Sequence, residues 1–443
     1  MYSRKKSALK FFILITTAAI WVSCSDQGGM GIFKKQSPHE AYGQKLKDAG
    51  LDRTAIGRKW LLRSTEILIA PLNITIPYKE TGYFAADKPG GTALRFEAIR
   101  GKKLNISLEK KPVQNYNVYV DLFQLKENNT LKLVASADTS GQALEYEIKQ
   151  AGKYVIRLQP ELLQSGEYTL TVTAGPSLGF PVSETAKPRI GSFWGDNRDD
   201  NGRKHEGIDI FAPKGTPAVA AANGTVNNVT ENTLGGKVVF FRPENADYTL
   251  YYAHLDEQLV QPGQTLLKGD TVGLVGNTGN ARNTPSHLHF GIYTFGGTID
   301  PLAFVDKTIK PPPAIIASTT RLNATIRTDN ITNKLYDAPT EKGATLLNLP
   351  KHAVLNVDAA AGSFYKVQLP DGLTGYISSR AVTDANILRS ITLKNGQPLL
   401  NAPDSLNAPR KKTLAAGNKV AVLGAYRNYY LVKDEGETGW ILQ

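Results

Sequence analysis

The sequence is poor in cysteine, methionine and histidine, with 1, 2 and 6 of them in 443 residues. A single cysteine cannot form a disulfide within the chain, so none contributes to folding. The N-terminal apolar run, from Phe11 to Ser23, is shorter than the ~20 residues that a membrane-spanning helix needs. The basic residues are scattered and no aromatic-interleaved basic motif is present, which argues against nucleic-acid binding.

Glycine and proline, in contrast, are abundant, with 40 and 24 residues. Such a density of turn-forming residues favours short strands over long helices and predicts a mostly β protein. The chain is too long for one compact core, and at roughly 150 residues per domain its length indicates about three domains.

The N-terminus has the features of an export signal. Four basic residues between Arg4 and Lys10 precede the apolar run, which ends just before Cys24. This arrangement resembles a bacterial lipobox, although Trp21 replaces the usual aliphatic residue. We therefore expect residues 1–23 to be a lipoprotein signal peptide and Cys24 to carry a lipid. The alternative is an ordinary signal peptide followed by a chance cysteine.

Either form of signal places the protein outside the cytoplasm, and lipidation would anchor it to a membrane, facing the periplasm or cell wall. Removal of the signal peptide takes away four positive charges and lowers the net charge from +12 to +8. A basic exported protein suits an anionic polymer or a membrane surface. Nothing in the sequence indicates an oligomer.

Three regions flank the central part of the chain. A helix start is predicted at Ser37, with Pro38 and Glu40 at favoured positions, and His39 is expected on the surface of its first turn. Alternating apolar residues then predict a β-sandwich of the jelly-roll type. Near the C-terminus, two short motifs recur at a spacing of 64 residues, namely Asp337-Ala338-Pro339 with Asn401-Ala402-Pro403 and Thr374-Gly375-Tyr376-Ile377 with Thr438-Gly439-Trp440-Ile441.

Two units of that length are too few for a solenoid, so we predict two small β-barrels. The repeat resembles bacterial SH3-like domains, which implies binding of peptide or glycan. The predicted organisation is a signal peptide (1–23), a tether with short helices (24–71), a β-sandwich (72–175), a histidine-containing core (189–306), a proline-rich linker (307–325) and two SH3-like repeats (326–385 and 386–443).

Four of the six histidines lie in the core, between Gly202 and Tyr293. Histidine binds metals and titrates near neutrality, so this clustering indicates a chemical site. On an extended chain, residues separated by an even number share a face, and this parity lets one ion contact His205, Asp209 and His289. Glu206 would point away from that ion and is a poor candidate for a general base.

The two remaining histidines of the core are His254 and His287. Zinc lowers the pKa of bound water to about 7, so a neutral imidazole nearby suffices to accept its proton. Either histidine can do this, and the other can stabilise an oxyanion or protonate the leaving amine. The sequence does not assign the two roles.

The combined motifs resemble the lysostaphin/LytM-type zinc metallopeptidases over residues 190–305. The resemblance implies a mostly antiparallel β fold, one zinc ion on His205, Asp209 and His289, catalytic roles for His254 and His287, and cleavage of peptides in peptidoglycan. Related enzymes place a tyrosine before the first motif, where this chain has Arg198-Asp199-Asp200. The motifs that carry the resemblance are His205-x-x-x-Asp209, Gly215-Thr216-Pro217, Tyr252-Ala253-His254-Leu255, Gly269-Asp270-x-Val272-Gly273, Gly276-Asn277-Thr278-Gly279 and His287-Leu288-His289.

The sequence thus favours a lipid-anchored murein endopeptidase held on the wall by its SH3-like repeats and positive charge. The main alternative is a non-catalytic wall-binding or amidase-activating lipoprotein on the same fold. A third hypothesis is a peptidase that acts on secreted proteins.

Overall fold

The computed structural model describes residues 36–198 and 202–443. The expected signal peptide, the expected lipidation site at Cys24 and nearly all of the tether before the first helix lie outside the described residues. Asp199 and Asp200 lie outside them as well. In the part of the chain that is described, no helix has the length and apolar character needed to cross a membrane.

Two helices precede the first strands. Helix α1 spans Pro38–Asp48, and Ser37 caps it by accepting a hydrogen bond from the backbone N–H of Glu40, whose side chain in turn accepts one from Ser37. Helix α2 spans Ala55–Ile69 and is capped by Thr54. The predicted helix start at Ser37 is therefore present.

The expectation that His39 lies on the surface is wrong. Its side chain is only 5% exposed and stacks on Trp60, with the ring centroids 4.8 Å apart. The ring nitrogens contact Gln159 Oε1 at 2.7 Å and Arg157 Nη2 at 2.9 Å. Because Arg157 needs an acceptor, Nδ1 of His39 must carry the lone pair and Nε2 the proton. His39 thus joins α1 to the sandwich.

The region between residues 72 and 176 forms two facing sheets, as the alternating pattern predicts. One sheet has the order β1-β3-β8-β5-β6 and the other contains β2, β9, β4 and β7. Apolar side chains from both sheets, including Leu94, Leu122 and Leu170, fill the space between them. The strands are β1 (Leu72–Asn73), β2 (Tyr78–Phe84), β3 (Thr92–Ala98), β4 (Lys102–Lys111), β5 (Val118–Leu125), β6 (Leu131–Ser136), β7 (Leu144–Glu147), β8 (Gly152–Pro160) and β9 (Gly166–Pro176).

The core is built on an antiparallel sheet with the order β10-β13-β20-β17-β16-β15-β18. The preceding segment is packed onto it, because Leu178 and Val182 are buried in its apolar cluster. The elements are β10 (Arg189–Ser192), β11 (Asn197–Arg198), β12 (Arg203–Lys204), β13 (Gly207–Phe211), β14 (Pro217–Val219), β15 (Gly224–Asn232), β16 (Gly236–Pro243), β17 (Tyr248–Gln258), β18 (Thr265–Leu266), β19 (Thr271–Val275), β20 (His287–Thr294), β21 (Gly297–Ile299) and the short helix α3 (Leu302–Val305).

The two sequence repeats, called repeat 1 (326–385) and repeat 2 (386–443), have corresponding strands. In repeat 1 Tyr336 pairs with Tyr376. In repeat 2 Leu400 pairs with Trp440, and each of these residues lies 64 positions after its counterpart in repeat 1. The strands are β22 (Thr325–Thr328), β23 (Thr332–Tyr336), β24 (Thr345–Pro350), β25 (Val354–Ala361), β26 (Phe364–Gln368), β27 (Thr374–Ser378), β28 (Val382–Asp384), β29 (Arg389–Thr392), β30 (Gln397–Leu400), β31 (Arg410–Leu414), β32 (Lys419–Tyr426), β33 (Tyr429–Asp434) and β34 (Glu437–Leu442).

Repeat 1 and the sandwich share one continuous sheet. Strand β25 pairs antiparallel with β2, so the second sandwich sheet extends into repeat 1 as an 11-stranded sheet. Across this junction Lys366 Nζ lies 2.7 and 2.9 Å from the two carboxylate oxygens of Glu80. The side chains of Lys366 and Glu80 are 2% and 0% exposed. A buried pair of this kind tolerates little change in the relative position of the two elements that carry it.

Candidate metal centre and cleft

Three neighbouring strands of the core bring the cleft residues together. Strand β13 pairs antiparallel with β20, and Asp209 is directly opposite His289 in that register. On the other side of β20, Ala253 of β17 is opposite His289, which places His254 beside the same pair. Residues 80 positions apart in the chain thus become immediate neighbours.

The side chains of His205, Asp209 and His289 form a compact group. His205 Nε2 lies 3.0 Å from Asp209 Oδ1 and 2.9 Å from His289 Nδ1, and His289 Nδ1 lies 3.0 Å from the same Asp209 oxygen. Ligand atoms about 2.1 Å from a tetrahedral zinc ion are roughly 3.4 Å apart, and two imidazoles with one carboxylate suit zinc. These three residues therefore fit a zinc ion, and they form a group able to hold a metal.

The sequence predicts that His205 and Asp209 lie on the same face of one extended strand, but the backbone position of His205 is different. It lies in the break between β12 and β13, rather than on a continuous strand with Asp209. Its Nδ1 donates to the backbone carbonyl of Phe193 at 2.8 Å, which leaves the lone pair of Nε2 directed at Asp209 and His289. Glu206 is turned toward Tyr293, whose hydroxyl donates to it at 3.1 Å.

Asp209 is held from both sides. Arg198 Nη2 lies 2.9 Å from Asp209 Oδ2, while Oδ1 faces the two histidines. Burial by itself would raise the pKa of the Asp209 carboxyl, but the adjacent His205 and His289 outweigh burial and hold the pKa well below its usual range. Asp209 therefore stays ionised, as a metal ligand must.

His254 and His287 have the same tautomer. His254 Nδ1 donates to the carbonyl of Thr278 at 2.9 Å, and His287 Nδ1 donates to the carbonyl of Pro285 at 2.9 Å. A carbonyl only accepts, so in the neutral rings both Nε2 atoms carry lone pairs. The two rings are neighbours inclined at 66°, with centroids 5.0 Å apart, and His287 Nε2 lies 3.8 Å from Asp209 Oδ1.

Burial, and after it the nearby His289 and His287, lower the pKa of His254 to about 4. The ring is therefore neutral near pH 7, as an acceptor of protons must be. His254 also has a positive φ of 61°, at an irregularity in the pairing of β17 with β16. This left-handed backbone is uncommon for residues other than glycine.

These side chains line one cleft with a volume of about 630 Å³. The structure thus brings together the five side chains to which the sequence assigns metal-binding or proton-transfer roles. The cleft is lined by Ser192, Arg198, Arg203, His205, Glu206, Asp209, Phe211, Asn232, Leu234, Gly235, Tyr251, Ala253, His254, Asn280, Ala281, Thr284, Pro285, His287, His289 and Tyr293.

Sequence reasoning missed the groups that orient these side chains. Three of them are backbone carbonyls, at Phe193, Thr278 and Pro285, and a carbonyl has no side-chain signature. A further one is Arg198, which the sequence marks only as part of a departure from related enzymes. The proximity of Arg198 to His205, the first histidine of the core, was the one available signal.

Comparison with known proteins identifies this region. Residues 203–301 match the family described as "Peptidase family M23". A protein named "Uncharacterized metalloprotease" from Haemophilus influenzae is 30% identical over 247 residues, which are 49% of each chain. Peptidoglycan DD-endopeptidase ShyC from Vibrio cholerae is 40% identical over 88 residues, or 20% of each chain.

Among solved structures, that of LytU is 37% identical over 26% of this chain and 83% of its own, with a TM-score of 0.25. The chain spans about half or less of the length of the two curated relatives named here. His205, Asp209, His254, His287 and His289 all lie within the matched stretch, whereas Arg198 precedes it. The stretch that carries these five side chains is therefore similar to peptidase family M23.

Proposed function

We propose that this protein is a zinc-dependent endopeptidase that hydrolyses peptide bonds in the stems or cross-bridges of peptidoglycan. The observation that carries the proposal is the convergence of His205, Asp209, His289, His254 and His287 on one open cleft. The name of the Vibrio cholerae relative, a peptidoglycan DD-endopeptidase, supports the choice of substrate.

In this proposal His205, Asp209 and His289 hold the ion. Zinc bound there would polarise the scissile carbonyl and activate a water molecule. The hydrogen bond from His205 Nδ1 to the Phe193 carbonyl fixes the tautomer that offers Nε2. The ionised Asp209 carboxylate partly neutralises the positive charge of the ion.

His254 and His287 transfer protons. Each offers an unprotonated Nε2, because its Nδ1 proton is held by a backbone carbonyl. One ring accepts a proton from the attacking water and the other, once protonated, stabilises the oxyanion or donates to the leaving amine. His287 Nε2 lies 3.8 Å from Asp209 Oδ1, beyond hydrogen-bonding distance but beside the three proposed ligands.

The retained residues favour hydrolysis over a non-catalytic wall-binding or amidase-activating role. A protein that only binds the wall has no need for three ligand side chains within 3.0 Å of one another beside two oriented imidazoles. Lipidation of Cys24 would anchor the enzyme to a membrane, and the SH3-like repeats would hold it on the wall.

The test is digestion of purified peptidoglycan, with the products separated and identified by mass. We expect new peptide termini, loss of cleavage on chelation and recovery on addition of zinc. His289→Ala should lower the rate by at least about 10³-fold because a ligand is removed. His352→Asn, which replaces a histidine in repeat 1 outside the cleft, is the matched control and should retain activity.

Two results would contradict the proposal. Release of sugar fragments, without new peptide termini, would show that the bond cleaved is not a peptide bond. Full activity in Asp209→Ala would show that Asp209 is not a ligand.

A further inference from the structure

Arg198 lies on the first strand of a short hairpin, just before the stretch that matches the family. The hairpin consists of β11 and β12, with Arg198 paired to Arg203, and it leads directly into His205. The backbone of His205 closes the hairpin base, since its N–H donates to the Asp196 carbonyl and its carbonyl accepts from Gly195, both at 2.8 Å. The hairpin thus presents one of the cleft histidines and Arg198 together.

The guanidinium of Arg198 is held between two acceptors. Nη2 donates to Asp209 Oδ2 at 2.9 Å and to Ser192 Oγ at 2.6 Å. The Ser192 hydroxyl donates onward to Asp196 Oδ2 at 3.0 Å. The Arg198 side chain is 30% exposed, whereas that of Asp209 is 11% exposed. The arginine is therefore held by Ser192, at the end of β10, as well as by the carboxylate.

This arrangement separates the roles of the two Asp209 oxygens. Oδ2 is engaged by the cation, and Oδ1 is 3.0 Å from both His205 Nε2 and His289 Nδ1. A carboxylate without such a partner is free to rotate and to exchange its oxygens. A charge-assisted hydrogen bond from a planar guanidinium removes that freedom.

We propose that Arg198 is a positioning residue of the metal centre, which locks the Asp209 carboxylate so that Oδ1 alone is presented to the ion. The inference rests on the proposed zinc-dependent function. It assigns a task to the hairpin, because β11 carries Arg198 and β12 leads into the ligand His205. It also implies that lysine replaces arginine only in part, since an ammonium lacks the rigid planar group whose Nη2 contacts both Ser192 and Asp209.

The experiment measures zinc affinity by competition with a chromophoric chelator, which needs no substrate. We expect Arg198→Ala to weaken zinc binding about 10- to 100-fold, the usual effect of removing a partner of a ligand. Arg198→Lys should recover only part of the loss, and added guanidinium should restore affinity in Arg198→Ala but not in Arg198→Lys. Arg242→Ala, which removes an exposed arginine from β16 outside the cleft, is the matched control.

A double-mutant cycle tests the route of the effect. If Arg198 acts through Asp209, its removal should not weaken zinc binding further in an Asp209→Ala background. Wild-type zinc affinity in Arg198→Ala, or an equal loss in both backgrounds, would overturn the proposal. Should Arg198→Ala not fold, as judged by circular dichroism, Arg198→Gln provides the same comparison with a neutral polar side chain.

Failure of the inference can be distinguished from failure of the proposed function. If the protein binds zinc with the expected dependence on Arg198 yet cleaves no peptidoglycan, the role of Arg198 is supported and the proposed function is contradicted. If the protein cleaves peptidoglycan in a zinc-dependent way and Arg198→Ala leaves the zinc affinity unchanged, only the role of Arg198 is contradicted.

Discussion

His39 shows how one buried side chain can make stability depend on pH. It lies between α1 and the sandwich, where burial and then the charge of Arg157 lower its pKa from 6.5 to about 4. Gln159, Asp121 and Glu40 act in the opposite direction and do not compensate. The neutral ring fits this place, because it accepts from Arg157 and cannot do so when protonated.

We expect the protein to lose stability as the pH falls through this range. The folded-state pKa of His39 lies below the unfolded value, so the unfolded chain binds more protons between pH 6.5 and 4. The stability that the neutral ring contributes is complete above about pH 6.5, and roughly 2 kcal/mol of it is lost by pH 5. Urea unfolding at pH 7 and pH 5 measures the loss, and His39→Gln should reduce it by that amount. Equal pH dependence in both proteins would show that His39 is not the cause.

At the scale of elements, the close approach of β13 to β20 requires a glycine. A Cβ atom on Gly207 would lie 2.5 Å from the carbonyl oxygen of Phe290 and 2.8 Å from His289 Nε2. Both distances are shorter than real Cβ contacts, and Phe290 is the residue directly opposite Ile208 in the ladder. The strand pairing that aligns Asp209 with His289 thus depends on the missing side chain.

Gly207→Ala should therefore impair the metal centre and the sheet together. We expect a cost of about 1–3 kcal/mol in unfolding free energy, as for an overpacked site, and weaker zinc binding because His289 must move. Gly296→Ala is the matched control, since its Cβ would meet only Thr294 Oγ1, at 3.8 Å. Thermal unfolding and the zinc competition assay separate the two effects, and an undisturbed zinc affinity would contradict the expected displacement of His289.

At the scale of the whole molecule, repeat 1 and the sandwich form one structural body. Glu80 and Lys366 are separated by 286 positions in sequence, yet they form a fully buried ion pair. The hydroxyls of Tyr78 and Tyr168 also donate to Glu80, at 2.6 and 2.8 Å. Removal of one partner leaves a buried charge without compensation, which is more costly than removal of both.

Lys366→Met should accordingly destabilise the protein by about 3–5 kcal/mol, and Glu80→Gln added to it should recover much of that loss. The control is Lys103→Met, which breaks the exposed pair with Glu145 and should cost no more than about 1 kcal/mol. Chemical unfolding followed by circular dichroism measures all three. If Lys366→Met and Lys103→Met lower the unfolding free energy by the same amount, the junction does not depend on the buried ion pair.

Local patterns in the chain determined much of this architecture. The capping residues around Ser37, the alternating strands of the sandwich and the 64-residue repeat are all local signals, and all have counterparts in the structure. The clustering of four histidines also singled out the five residues that meet in the cleft. Such features could be predicted because backbone geometry relates neighbours in sequence to a common face.

Only the tertiary structure decided which distant groups surround those residues. The burial of His39, the carbonyls that orient the histidines, the contact of Arg198 with Asp209 and the sheet shared by β2 and β25 all join separate parts of the chain. Residue type and spacing do not encode such contacts, because they depend on how complete sheets pack and on backbone atoms that every residue has. The physical reason is that burial and hydrogen bonding act between surfaces, which exist only once the elements have formed.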